Sequence, residues 1–303
     1  MPASTVNAPE LTREQVLAIL VQPLQAASVF LAAGPRIFDV TAAGAVRIPT
    51  LVGMTAPSWI GENTLIPEVE ADFGEVVLLD GVKSLKSITR YSNELARSSV
   101  VALDAALRDR MVLDVASRLD AALIAGTGDV VDGKRTTPLG ILNYPGTQQI
   151  AAVGVPTLDD LHDAYGLMLG ANADPTRARW MMTSRDFVNL RKIKDADGRY
   201  LLQPDATQDG VYRLLGSPVT VTNRIPTSVD DPATAGVNEA GATSIVLADF
   251  SKIAVARDLA PSVKILSERY ADFDQQAIRV VARYDAAPLN PEAVVVLRGV
   301  TAA

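Results

Sequence analysis

Between Val100 and Ala125 the chain holds neither glycine nor proline, within the segment "SNELARSSVVALDAALRDRMVLDVASRLDAALIAG". Leu103, Leu107, Val115, Leu119 and Leu123 recur at spacings that one helix face accommodates. At ~1.5 Å per residue the run predicts a helix roughly 39 Å long. Ser92 and Ser98 or Ser99 are candidate caps, and Gly126 is a candidate stop. A rod of that length acts as a spine, with other elements laid across it.

The rest of the chain supplies those elements. Of 303 residues 48% are apolar and 21% charged, enough to bury a sizeable core. Aromatic residues are only 5%, so Ala, Val and Leu must build most of it. From about Pro156 to Ala260 helices and strands alternate. A helix over Leu158–Gly170 starts at a Thr157 cap, followed by a buried strand in "RWMMTS" and a helix in "SRDFVNLRKIK". "PVTVTNRIP" and "TSIVLADF" read as strands, and "TSVDDPATAGVNEAGA" between them as a surface loop. "QAIRVVARYDAAPL" and "AVVVLRG" read as closing strands. The fold class expected is α+β.

Near the start, "VLAILVQPLQAASVFLAAG" is apolar but broken by Gln22, Pro23 and Gln25, with no basic segment before it. It predicts a short helix from Thr12, with Thr12 and Gln15 at capping-box spacing, and not a membrane span. Strand-like runs at Val46–Leu51 and Val76–Leu79 then flank about two dozen residues rich in Gly and Pro. This connection carries Trp59 and Ile60, then Glu62, Glu68, Glu70 and Asp72. It is either a plain surface hairpin with one buried Trp or an arm whose Trp and acids meet another chain.

Several chemistries are excluded or disfavoured. There is no cysteine, which removes disulfides, thiolate catalysis and cysteine metal sites. The one histidine, His162, lies between acidic neighbours on an amphipathic helix and reads as a surface residue. "GTGDVVDGKRTTPLGIL" approaches a phosphate-loop spacing. However, Arg135 stands where Ser or Thr is required, a helix precedes it, and Asp129 and Asp132 oppose phosphate. "KDADG" begins like a calcium loop, with Asp195 and Asp197. Gly198 comes too early, Arg199 falls on a ligand position, and position 12 is Ala206. It is read as a turn after a helix end. A carboxylate-only glycosidase would need an acid pair, and none stands out. A net charge of −7 supplies no basic stripe for gripping nucleic acid. No enzyme activity and no cofactor or metal is expected.

A resemblance spans residues 12 to 300. "KDADGRYLL" after a helix beginning "SRDF" resembles the major capsid proteins of tailed bacteriophages, with the Hong Kong 97 fold. "SWIGENTLIPEVEADFGEVVL" is similar to that family's extended loop, and "SNELARSS" to the entry of its spine helix. "PLGIL" resembles the turn after that helix, and "FDQQAIRVVARYDAAPLNPEAVVVL" the closing strands. The resemblance implies an N-terminal arm over 1–45, an extended loop over 46–82 and a peripheral domain with the spine helix over 83–145. An axial domain over 146–260 and return strands of the peripheral domain over 261–303 complete it. It further implies a structural subunit, located in the virion, that self-assembles through pentamers and hexamers into an icosahedral head. That head encloses DNA without sequence-specific binding.

Implied partners are a separate scaffolding protein, a portal and a decoration protein, with no membrane. An encapsulin-type compartment enclosing a cargo enzyme is the alternative. The expected inter-subunit contacts are Trp59, Ile60, Glu62, Glu68 and Asp72 against basic residues of a neighbour, with Arg283 and Arg298 proposed. Gly53, Gly61 and Gly81 are the candidate joints. With no Lys between Met54 and Val82, and Asn63 in the "GENTL" stretch, no isopeptide cross-link is expected.

Overall fold

The structure is a computed structural model. It describes residues 27–40, 45–54, 59–62, 65, 71–78, 83–94, 103–151, 153–195, 197–200, 202, 212–230, 238–266 and 268–301. The helix expected from Thr12, and Asn63, Glu68 and Gly81, lie outside these residues.

Sixteen strands are described in chain order. They are β1 (Arg36–Val40), β2 (Val46–Met54), β3 (Ala71–Leu78), β4 (Ser84–Ser92), β5 (Val130–Val131), β6 (Lys134–Arg135), β7 (Gln148–Ile150) and β8 (Arg179–Met182). Then follow β9 (Arg213–Leu214), β10 (Ser217–Val221), β11 (Ser228–Asp230), β12 (Asn238–Ala240), β13 (Thr243–Ala248), β14 (Ile253–Leu266), β15 (Gln275–Pro288) and β16 (Val294–Val300). Two sheets carry the fold. One has the order β1-β14-β15-β4, the other β7-β16-β13-β8-β10-β9.

The spine helix is observed over Leu103–Ala125. Met111, Val115, Leu119 and Leu123 point into the main core, with Leu107 packed at its margin. There they meet Ile278, Val280, Ala282 and Tyr284 from one face of β15. Gly126 does end the helix, but not as a left-handed cap, because it is absent from the positive-φ residues. The reason is space. A Cβ on Gly126 would lie 2.3 Å from the Pro138 carbonyl oxygen, and one on Gly140 would lie 2.5 Å from the Ile124 oxygen. The "PLGIL" turn therefore closes directly against the helix end, and Ile141 and Leu142 enter the core.

The Leu158–Gly170 helix begins at the expected Thr157 cap, and the cap is a full capping box. Thr157 accepts from the Asp160 backbone N–H, and Asp160 accepts from the Thr157 backbone N–H. Its buried face, Leu161, Ala164 and Met168, joins Trp180, Ile245, Leu247, Val295 and Leu297 in a second core. Strand β13 is buried along its whole length, and the two cores lie on its opposite faces: Val246 and Ala248 in one, Ile245 and Leu247 in the other.

Two expectations need correction. First, the closing strands do not return together. β15 pairs with β14 and β4, whereas β16 pairs with β13 and β7 in the other sheet. The turn at Pro291–Ala293 carries the chain from one sheet to the other. Strand β14 also runs through residue 260 without ending, so a division at 260/261 does not follow the pairing. Valine-rich strands suit either buried sheet, which is why the run could not announce its partner. Second, the loop expected between β10 and β13 contains a ribbon, β11 with β12, in register from Ser228↔Ala240 to Asp230↔Asn238. Its polar residues are poor strand formers, and backbone pairing makes the ribbon.

Candidate assembly surfaces

The extended loop is a hairpin. β2 and β3 pair antiparallel from Val46↔Leu78 to Met54↔Ala71, with a bulge between Leu51 and Gly53. Gly53 therefore sits where the ribbon bends and twists. The base is anchored apolarly. Leu78, only 1% exposed, packs on Ala254, Ala256 and Ala287 with Val46, Ile48 and Val76 around it. These alanines are on the sheet face opposite the spine helix, and their small side chains let the ribbon sit close. Arg47 and Glu75 pair across the hairpin at 3.3 Å in full view of solvent, which contributes little.

Where the loop returns to the sheet, Lys83 and Asp285 form an ion pair at 2.5 Å, their side chains 4% and 3% exposed. No signal in the sequence marked this pair, because the partners are 202 positions apart.

At the far end of the hairpin, Trp59 is fully exposed, Ile60 is half-buried and Glu62 is exposed. Leu65 is 90% exposed. The reading of a plain hairpin with one buried Trp is thereby overturned. Asp72 lies on β3 opposite Gly53. Of the two basic residues proposed as receptors, Arg283 is half-buried, and its Nη1 donates to Asp258 Oδ2 at 2.8 Å. Arg298 is 7% exposed and braces its own subunit. Its Nε donates to Gln149 Oε1 at 3.1 Å, and its Nη2 donates to the Leu142 carbonyl. Arg298 thus ties β16 to the turn after the spine helix.

The N-terminal arm is held to both layers. Asp120, on the spine helix, accepts from Ser28 Oγ, from the Val29 N–H at 2.9 Å and from the Phe30 N–H at 3.2 Å. It satisfies the orphan donors of the Val29–Ala32 turn from another element. Burial pushes the Asp120 carboxyl above its ordinary value, against the lowering effect of those hydrogen bonds. Farther along, β1 pairs parallel with β14, and Asp39 takes a forked bond from Arg257. That bond, the largest influence on it, holds the guanidinium pKa above its usual value.

The "SRDF" motif also acquires a reason. Asp186 is fully buried and accepts from Thr183 Oγ1 and Thr243 Oγ1, both at 2.7 Å. Arg185 donates to Asp186 at 3.1 Å, to Thr243 Oγ1 at 2.9 Å and to the Val300 carbonyl at 3.0 Å. Two adjacent residues thus lock a helix start to the ends of β13 and β16. In "KDADG", Asp195 Oδ1 accepts from the Asp197 and Arg199 backbone N–H groups at 3.0 and 2.8 Å. Gly198 adopts φ +81°, the left-handed conformation such a turn requires. This carboxylate serves its own backbone.

Among the described residues no group of three or more His, Asp and Glu is placed to hold a metal. No described helix is long and apolar enough to cross a membrane. His162 is exposed. A cavity of about 400 Å³ opens beside the spine helix, lined by Lys83, Leu85, Leu119, Thr137, Pro138 and Tyr284.

Comparison with known proteins gives a consistent answer. No curated protein sequence matches the chain. The capsid of a native GTA particle, computed with C5 symmetry, superposes with a TM-score of 0.71 at 19% identity, covering 90% of each chain. A chain from Microbacterium phage Oxtober96 gives 0.69 at 18% identity, covering 98% of this chain and 99% of that one. A chain from Mycobacterium phage Adephagia gives 0.69 at 16% identity, covering 100% and 99%. The expected capsid fold is therefore present. The encapsulin alternative finds no support, because the matching family is one of phage capsids. That match extends over residues 11–299, and the chain belongs to the phage capsid family, as a structural and non-enzymatic protein of the virion capsid.

Proposed function

We propose that copies of this chain join head-to-tail into pentamers and hexamers, which close into an icosahedral shell around DNA. The observation that carries this reading is the hairpin: anchored at its base by Leu78, fully exposed at Trp59. Aromatic side chains presented like this belong to contacts with another surface. The two sheets supply the units of the shell. The sheet β1-β14-β15-β4 with the spine helix forms the peripheral unit, and the sheet containing β16 the axial unit. Trp59, Ile60, Glu62, Glu68 and Asp72 serve as loop contacts. A scaffolding protein, a portal and a decoration protein are separate partners. With a net charge of −7 the lumen holds DNA without gripping it.

Electron microscopy of the purified protein, with sedimentation alongside, tests the proposal. Closed particles or ring capsomers are expected, formed alone or on adding scaffolding protein. A chain that stays small with scaffolding present overturns it. Tight DNA binding by the free subunit at physiological salt would overturn the passive-lumen part alone.

A further inference from the structure

The cavity beside the spine helix has no part in the shell reading, and small apolar residues make it. Ala121 and Ala122 of the helix line it from one side, Ala282 and Tyr284 of β15 from another. Its volume of about 400 Å³ falls in the range of small-molecule sites. The walls are not free to close on this space. The Pro138 carbonyl oxygen lies so near Gly126 that a Cβ there would be 2.3 Å away, which seats the Thr136–Pro138 segment on the helix end. That segment is also tied to Asp129. The Thr136 N–H donates to the Asp129 carbonyl, and Thr137 Oγ1 accepts from the Asp129 N–H, both at 2.8 Å. The start of β4 is fixed by the Lys83–Asp285 pair. Atoms facing a fixed apolar space lack dispersion partners on that side, and an apolar guest supplies them.

The rim carries one charge without a counterpart. Arg118 lines the cavity and is exposed. Asp114, one helical turn before it, pairs with Arg110 at 3.2 Å. Among the described residues no carboxylate pairs with Arg118. Lys83, the other cation of the lining, is matched by Asp285 at 2.5 Å. An apolar interior with a single unmatched guanidinium at its mouth defines a ligand with an apolar body and one anionic end.

We propose that this cavity binds a small aliphatic carboxylate. The hydrocarbon end lies against Ala122, Ala282 and Tyr284, and the carboxylate meets Arg118 at the rim. A nucleic-acid backbone does not suit the site, because its repeated phosphates need several cations and the walls are apolar. Every wall belongs to one subunit, so the proposal does not depend on the shell reading. A guest here touches the spine helix, β15 and the Thr136–Pro138 segment together, and so stabilises the fold that holds it.

Titration calorimetry of the full chain with octanoate tests this, with 1-octanol and octylammonium as probes of the same tail. Octanoate should bind saturably at one site per chain and raise the unfolding temperature. 1-Octanol should bind at least about tenfold more weakly, and octylammonium more weakly still. Arg118→Gln changes only the rim. It should weaken octanoate at least about fivefold and leave 1-octanol unchanged. Ala122→Leu fills the space and should abolish binding of both without lowering the unfolding temperature of the free chain. Absence of saturable octanoate binding overturns the proposal. So does binding that survives Ala122→Leu, which places the guest elsewhere, or octylammonium binding as well as octanoate, which removes Arg118 from the site. Each of these results leaves the shell reading standing, and failure of the chain to form particles leaves this site standing.

Discussion

The ion pair at the foot of the hairpin permits a quantitative prediction. Lys83 Nζ and Asp285 Oδ2 are 2.5 Å apart with almost no solvent contact. At an effective dielectric near 20 their gross attraction is about 6–7 kcal/mol. Removing both charges from water costs several kcal/mol per ion, so the intact pair contributes far less than that gross figure. Deleting one charge is a different matter. Lys83→Met removes the cation that faces the buried Asp285 carboxylate, a loss of about 3–5 kcal/mol. Adding Asp285→Leu removes the carboxylate as well and should recover most of the loss. With a urea slope of about 3 kcal/mol/M for a chain of this size, the single variant lowers the unfolding midpoint of the free subunit by about 1–1.7 M. The double variant should fall within about 0.5 M of the parent. If the single variant moves the midpoint by less than about 0.3 M, or the double is no better than the single, the pair is not coupled as argued.

Other consequences can be tested in the same unassembled subunit. Asp120→Ala strands the Ser28, Val29 and Phe30 donors and should cost roughly 2–4 kcal/mol, seen as lost hydrogen-exchange protection at the Val29 and Phe30 amides. Because burial raises the Asp120 pKa in the fold, the native state holds that proton more tightly than the unfolded chain. Its contribution to stability therefore rises as pH falls from the folded pKa towards the ordinary carboxyl value of 3.8. Asp120→Asn should remove that part of the pH slope in urea melts. Arg185→Ala leaves the buried Asp186 without its guanidinium and should lose about 3–5 kcal/mol in urea unfolding. Gly126→Ala forces a Cβ against backbone oxygens and should destabilise by at least about 2–3 kcal/mol. Gly166→Ala meets nothing within 4 Å inside a helix and should raise stability by about 0.5–1 kcal/mol.

Features with a local cause were legible in the amino-acid sequence. The glycine-free run announced the spine helix, Thr157 the start of the Leu158–Gly170 helix, and the two apolar runs around Trp59 a hairpin. The "KDADG" turn was legible because an Asx carboxylate and a glycine complete it within five residues. Features fixed by distant partners were not. Lys83 and Asp285, Asp120 and Ser28, and Arg298 and Leu142 meet only after the sheets form. Arg298 looked like a surface cation because it follows a valine-rich strand near the end of the chain. Its guanidinium is instead drawn inward by a carbonyl. Likewise "AVVVLRG" is equally suited to either sheet, and the short turn at Pro291–Ala293 decides the matter by steering it to β13.

The alanine seat under the hairpin has a mechanical consequence. Ala254, Ala256 and Ala287 offer no side chain long enough to interlock with Leu78, so the contact resists separation more than rotation. The nine residues of β2 at ~3.3 Å per residue make the hairpin a lever about 30 Å long. A tilt of about 10° at the seat displaces its end by about 5 Å, roughly the spacing between adjacent strands. In the proposed shell, one unchanged sequence would thereby gain the reach to meet neighbours set at the different angles of five-fold and six-fold rings, by pivoting and not by refolding.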